Sequence, residues 1–248
     1  MLVIRKTQLD ALRENALAKF KSDLLDHYQV FAPEIFAVVG EEGFKAFIDL
    51  GIEKTEQHGL RLRGPVRLFI DVMCILGRDF DTDPQYRRLW PEDDPAVMPM
   101  PFAEHLHANL HDYLEQCVGA DKALLAGAIE AMIPAPLSLS SGAGDFVFQT
   151  LPHVYPTRYA YIGETNLRDF SARCGDEVKA ANILSPAGEV LVTILAISFG
   201  CGFLENPLYP WVAKRLLSDA PEDERIDQTL SALSVYGTET AKNLRAAA

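Results

Sequence analysis

PEIFAVVGEEGFKAFIDL (residues 33–50) and PTRYAYIGETNLRDFSAR (residues 156–173) open two segments that align without a gap. The alignment runs from Pro33–Tyr86 to Pro156–Tyr209 at a constant offset of 123 residues. Ten of its 54 positions are identical: Pro33/Pro156, Ala37/Ala160, Gly40/Gly163, Glu41/Glu164, Phe47/Phe170, Leu68/Leu191, Gly77/Gly200, Phe80/Phe203, Pro84/Pro207 and Tyr86/Tyr209. Most are helix punctuation or aromatic residues, which a structural repeat would keep. Repeated units of this length bury an apolar face against a similar neighbour. The segments therefore predict a mostly α, multi-helix globular bundle containing two similar helix-turn-helix units.

The same punctuation sets the elements around them. Leu9, Leu12, Leu17, Phe20, Leu24 and Leu25 recur at helical spacing, so residues 8–29 read as a first helix. A second helix follows Gly40, with Glu41 and Glu42 at its positive end. Gly59 stands where a left-handed residue closes a helix, and Asn182 holds that place in the other segment. A third helix, VRLFIDVMCIL, follows Pro65 and ends at Gly77. Its counterpart begins after a Ser185 cap and carries the most apolar run, VLVTILAISFGCGFL (190–204). That run is too short and glycine-broken for a membrane span and reads as a buried helix. VFQTLPHVYP and RYAYI have the composition of short strands, but prolines favour helical turns. A last helix, 222–245, places Ile226, Leu230, Leu233 and Val235 near one face. The resulting division is an N-terminal unit (1–98), a central helical segment (99–133), a linker (134–150) containing Ser138, Ser140 and Ser141, and a C-terminal unit (151–248) packed against the first.

Composition narrows the function. The chain has 248 residues, 48% of them hydrophobic and 23% charged, as in ordinary globular proteins. A formal net charge of −12 argues against a nucleic-acid partner, which needs clustered Lys and Arg. The four cysteines form no CxxC pair, and Cys74 and Cys201 lie in apolar runs, as buried free thiols do. The opening MLVIRKTQLDALRENALAKF lacks the apolar stretch of a signal peptide, so a reducing cytoplasm is the expected location.

Motifs for chemistry are sparse. Glu104, His107, His111 and Glu115 share one helix face and have the donor types for zinc, iron or manganese. One helix normally needs ligands from another, and HExxH is absent, so a helical metal-dependent hydrolase using this stripe is the alternative reading. Asp79, Asp81 and Asp83 resemble the start of a calcium loop, but Pro84 replaces its glycine and Trp90 its glutamate. Asp79 and Asp81 are expected instead to cap a turn or pair with Arg87 or Arg88. There is no GxSxG elbow, no phosphate-loop lysine after SSGAGDF, and no implied cofactor.

The opening, followed by FKAFIDLGIEKTEQHGL and VRLFIDVMCILGRDFDTDP, resembles a family of helical cytoplasmic proteins from bacterial type VI secretion and PAAR-associated gene clusters. The residues carrying the resemblance are Met1 to Ile4, Gly59-Leu60, Gly77, Asp79, Phe80 and Asp81, and it covers about residues 1–90. Family members are often shorter, so the second unit is a departure. The resemblance implies a non-enzymatic protein without cofactor that binds a secreted effector or its PAAR delivery module. Immunity protein is the leading role and effector adaptor the alternative. Such a role needs a shaped surface, and Asp79, Asp81, Asp83, Tyr86, Arg87 and Trp90, with Glu205, Asn206, Tyr209 and Trp211 on the matching edge, are the expected exposed partner-binding residues.

Overall fold

The computed structural model describes residues 5–119, 122–134 and 142–246, and every regular element among them is helical. α1 is Lys6–Phe31, α2 Pro33–Gln57 and α3 Arg63–Leu76. A 3-10 turn, Pro84–Leu89, leads to α4 (Pro99–Tyr113), which runs on as a π-turn, Leu114–Val118, and ends at Gly119. After α5 (Ala123–Met132) come helical turns at Ala143–Asp145, Phe146–Thr150 and Leu151–Val154. Then follow α6 (Pro156–Ile162), α7 (Glu164–Ala180), α8 (Pro186–Phe199), a 3-10 turn Phe203–Glu205, α9 (Pro210–Leu216) and α10 (Glu222–Ala246).

Several expectations need correction. VFQTLPHVYP and RYAYI are helical turns and helix, not strands. Residues 135–141 of the expected linker, with all three serines, lie outside the described residues. Its later part is core, with Phe146 and Val147 fully buried. Val235 points outward, because it falls between the buried Leu233 and the buried Gly237 of the α10 stripe. In α1 only the second half is covered. Leu24 and Tyr28 are buried, whereas Leu9, Leu12 and Leu17 are exposed.

Matching positions of the two aligned segments adopt matching geometry. Gly40 and Gly163 have φ of 73° and 77°, and each breaks the helical path before Glu41 or Glu164. α2 closes with Gly59 N–H donating to Glu56 O (3.0 Å) and Leu60 N–H to Thr55 O (2.8 Å). α7 closes with Asn182 N–H donating to Lys179 O (3.0 Å) and Ile183 N–H to Val178 O (3.1 Å). Both are Schellman ends, with Gly59 at φ 73° and Asn182 at φ 50°. Asp83 accepts from Gln85 N and Asn206 from Leu208 N, each opening the turn that follows.

The C-terminal ends of α3 and α8 meet glycine to glycine. A Cβ on Gly77 would stand 2.2 Å from Phe199 O, and one on Gly200 would stand 2.5 Å from Leu76 O. Both residues also have positive φ, 110° and 78°. α8 is buried on every side from Val190 to Ile197, as expected of its apolar run, and the Thr193 hydroxyl is satisfied by Glu189 O. α7 packs against the Pro84–Leu89 turn, and α10 covers α5. No helix among the described residues is long and apolar enough to cross a membrane.

The two Schellman ends make a clean test. Asn182→Gly should raise stability in urea denaturation by a few tenths to about 1 kcal/mol, since the left-handed conformation costs glycine least. Gly59→Ala should lower it by more than about 1 kcal/mol, because the new methyl meets Ala96 Cβ at 2.6 Å.

Candidate functional site

The acidic triplet folds inward rather than outward. Asp79 and Asp81 lie on the turn after Gly77, facing the last turns of α2. Lys54 Nζ is 3.0 Å from Asp79 Oδ1 and 3.0 Å from Asp81 Oδ1, and its side chain is only 12% exposed. His58 Nε2 reaches Asp81 Oδ2 at 2.8 Å, while Arg78 and Arg173 approach Asp79. Arg87 and Arg88, the expected partners, are elsewhere: Arg87 binds Asn166 and Asp169, and Arg88 lies over the Tyr161 ring. Burial pushes the Asp81 pKa up, but the hydrogen bond from His58 and the charge of Lys54 outweigh it and hold the carboxyl below its ordinary value.

Position 202 explains why one segment is acidic here and the other is not. A Cβ on Gly202 would lie 2.2 Å from Asp79 Oδ2, and Gly202 is the aligned counterpart of Asp79. Only one of the two facing positions has room for a side chain. Lys54 and Glu177 are also counterparts. Lys54 pairs with Asp79, and Glu177 accepts from Gly202 N (2.7 Å).

A second polar centre surrounds Arg158 on α6. Asp83 is buried and accepts three N–H groups: Gln85 N (2.9 Å), Gln85 Nε2 (3.0 Å) and Cys201 N (2.8 Å). Burial raises its pKa despite those donors. The Gln85 Oε1 then accepts from Arg158 Nη2 (2.9 Å), which also donates to the Tyr86 hydroxyl (2.7 Å). The guanidinium lies over the rings of Tyr86 and Tyr155, 5.5 and 5.8 Å from their centroids. Burial drives the Tyr86 phenol well above its usual pKa, so it remains a neutral hydroxyl.

The expected partner-binding edge is therefore largely interior. Asp83, Tyr86, Asn206 and Tyr209 are buried, and the Asp81 side chain is 4% exposed. Trp90 fills a ring cluster with His58, Phe80 and Phe102. Arg87 and Glu205 do reach solvent, with Glu205 accepting from Arg78. Trp211 is half-buried and meets Tyr236 and Phe199 at one side of a groove.

Glu104, His107 and His111 on α4 and Glu115 on the π-turn that continues it are all exposed, and the stripe's His111–Glu115 pair is separated by 3.3 Å. Among the described residues, no group of three His, Cys, Asp or Glu side chains converges as a metal site would. His105 points to Asp93, whose hydrogen bond raises the imidazole pKa. All four cysteines are free and buried, and burial pushes the Cys74 thiol up to about 12 and Cys117 to about 11.

Sequence reading missed Lys54, His58, Arg173 and Arg158 as members of polar centres. One signal was present. Lys54 faces Glu177, and Arg158 faces Ile35, in the alignment, so charge differs where the segments otherwise agree. No family model, curated protein or solved structure matches the chain.

Asp81 sets an acid-side test. Its folded pKa lies below the unfolded value of about 4, so its stabilisation is complete above about pH 4 and is lost as pH falls through the folded value. Asp81→Asn should cost about 3 kcal/mol at pH 7, leaving Lys54 without one of its carboxylates, and should flatten the acid-side fall in stability below about pH 4. Urea denaturation across that range reads both effects.

Proposed function

We propose that this chain is a non-enzymatic protein-binding factor of a type VI secretion effector, acting as an immunity protein that covers its toxin. The observation that carries this reading is an apolar groove between the start of α2, α9 and α10. Trp211 and Tyr236 line it, Val38 (75% exposed) and Val235 (66% exposed) flank it, and Arg215 lies over the Trp211 ring. Trp, Tyr and Arg are the residues that most often dominate binding energy at protein interfaces. Val38 and Val235 have no cover, which is the usual mark of an interaction surface when such residues cluster. The exposed Leu9, Leu12 and Leu17 of α1 supply a second uncovered apolar face, inside the stretch that resembles the secretion-associated family.

Charge supports the same reading. At −12 the protein would be steered toward a basic partner such as a toxin cleft that binds an anionic substrate. The framework for this surface is read as a duplicated helix-turn-helix unit. The matched Schellman ends, the reciprocal Gly77–Gly200 approach and the Asp79–Gly202 facing pair support two units related by a local two-fold. In a shorter relative with one unit, two copies would meet in the same way. The adaptor role uses the same surface and differs in leaving the effector active.

Calorimetry against the protein encoded beside this one tests the proposal. A one-to-one complex should form and the toxin's activity should fall in it. Val38→Asp with Val235→Asp should weaken binding at least about tenfold, or about 1.4 kcal/mol, without changing the unfolding midpoint. Undiminished toxin activity in a tight complex would assign the adaptor role. No complex, together with bound metal that disappears when His107 and His111 are replaced, would assign the hydrolase reading instead.

A further inference from the structure

The two aligned segments enclose a cavity of about 220 Å³ on the side of the Gly77–Gly200 contact where α10 closes the bundle. Three aligned pairs line it together: Ile35 with Arg158, Cys74 with Ile197, and Ile75 with Ser198. The remainder of the wall comes from α5 and α10, together with Tyr155, Ile194, Phe199 and Tyr209, and is almost wholly aliphatic or aromatic. An apolar cavity of about 150 Å³ accommodates benzene, so this one has room for a ligand of roughly ten non-hydrogen atoms. Its mouth lies at Ile75 and Ser198, the two exposed residues of the α3 and α8 ends.

Among the described residues, the wall has one cation. Arg158 is 5% exposed, and among the described residues it forms no ion pair with a carboxylate. Asp83 is the nearest acid in its hydrogen-bond chain, but Gln85 stands between them and three N–H donors already occupy the carboxylate. The Arg158 partners are neutral oxygens and ring faces, and its buried Nε has no acceptor. An arginine taken out of water normally gains a carboxylate or phosphate, because its desolvation cost is otherwise uncompensated. The corresponding residue of the other segment is Ile35, so the segment pairing does not require a charge there.

We infer that this cavity binds a small amphipathic carboxylate, with its apolar body among the α5, α8 and α10 side chains and its carboxylate on the Arg158 guanidinium. The planar fork of arginine suits a carboxylate, and the aliphatic wall suits a short alkyl or aryl body. A ligand in this position bridges both aligned segments and α10, and stabilises the bundle by mass action. The site adjoins the Trp211 groove through Tyr236 but takes its carboxylate on Arg158, which does not line the groove, so it holds whether or not that groove binds an effector.

Calorimetry with octanoate, and with 1-octanol as the uncharged counterpart, tests the assignment on the intact protein. Octanoate should bind one per chain and at least about tenfold tighter than 1-octanol. Arg158→Met should remove that preference, and Ser198→Trp, which adds bulk at the exposed mouth and leaves Arg158 in place, should weaken both ligands. Should Arg158→Met not fold, the octanoate-to-octanol ratio and the Ser198→Trp variant decide alone. Equal affinity for the two ligands would overturn the carboxylate assignment. Absence of octanoate binding up to about 5 mM, or binding untouched by Ser198→Trp, would overturn the site.

Discussion

The contact on which this structure depends is the approach of two helix ends at Gly77 and Gly200. Each glycine occupies the space where a side chain on the other would collide with backbone carbonyl oxygen. Backbone cannot move aside as a flexible side chain does, so the contact sets how closely the C-terminal ends of α3 and α8 approach. That spacing in turn places Cys201 N on Asp83, brings Asp79 against Gly202, and leaves the lined space between Ile75 and Ser198. The polar and apolar features on either side of the contact are consequences of one close approach.

Charge is then distributed unequally over positions that the fold treats alike. Facing positions close to the contact cannot both carry large side chains, and Asp79 against Gly202 is the clearest case. Lys54 and Glu177 carry opposite charges at aligned places and serve the same turn, one through a carboxylate and one through a backbone N–H. Asp83 and Asn206 both open a turn, but only Asp83 reaches across to the other segment, and the Asn206 Nδ2 is left buried without an acceptor. Such pairs show local constraint retaining the backbone while side-chain chemistry diverges.

The legibility of the sequence follows the same division. Glycine, proline and capping residues announce backbone geometry directly, which is why Gly59, Asn182, Ser185 and Gly200 were readable as helix ends. The apolar run 190–197 was readable as a buried helix because a period-free apolar stretch has no wet face. Exposure was not readable in the same way. Asp79, Asp81 and Asp83 look like a solvated acidic edge until the fold brings to them Lys54, His58 and the Cys201 N–H, from 23 to 118 positions away in the chain. Val235 and Leu12 look like core until the structure shows both exposed. The Arg158 cavity depends on six helices distant in sequence, and its trace in the chain is a charge opposite Ile35.

Native-state hydrogen exchange tests the central claim, that one close contact makes both segments a single cooperative body. The slowest amides of α3 and α8 should exchange with the same opening free energy, equal to the global unfolding free energy from denaturation. A gap of several kcal/mol between the two helices, with one segment opening while the other stays protected, would contradict it.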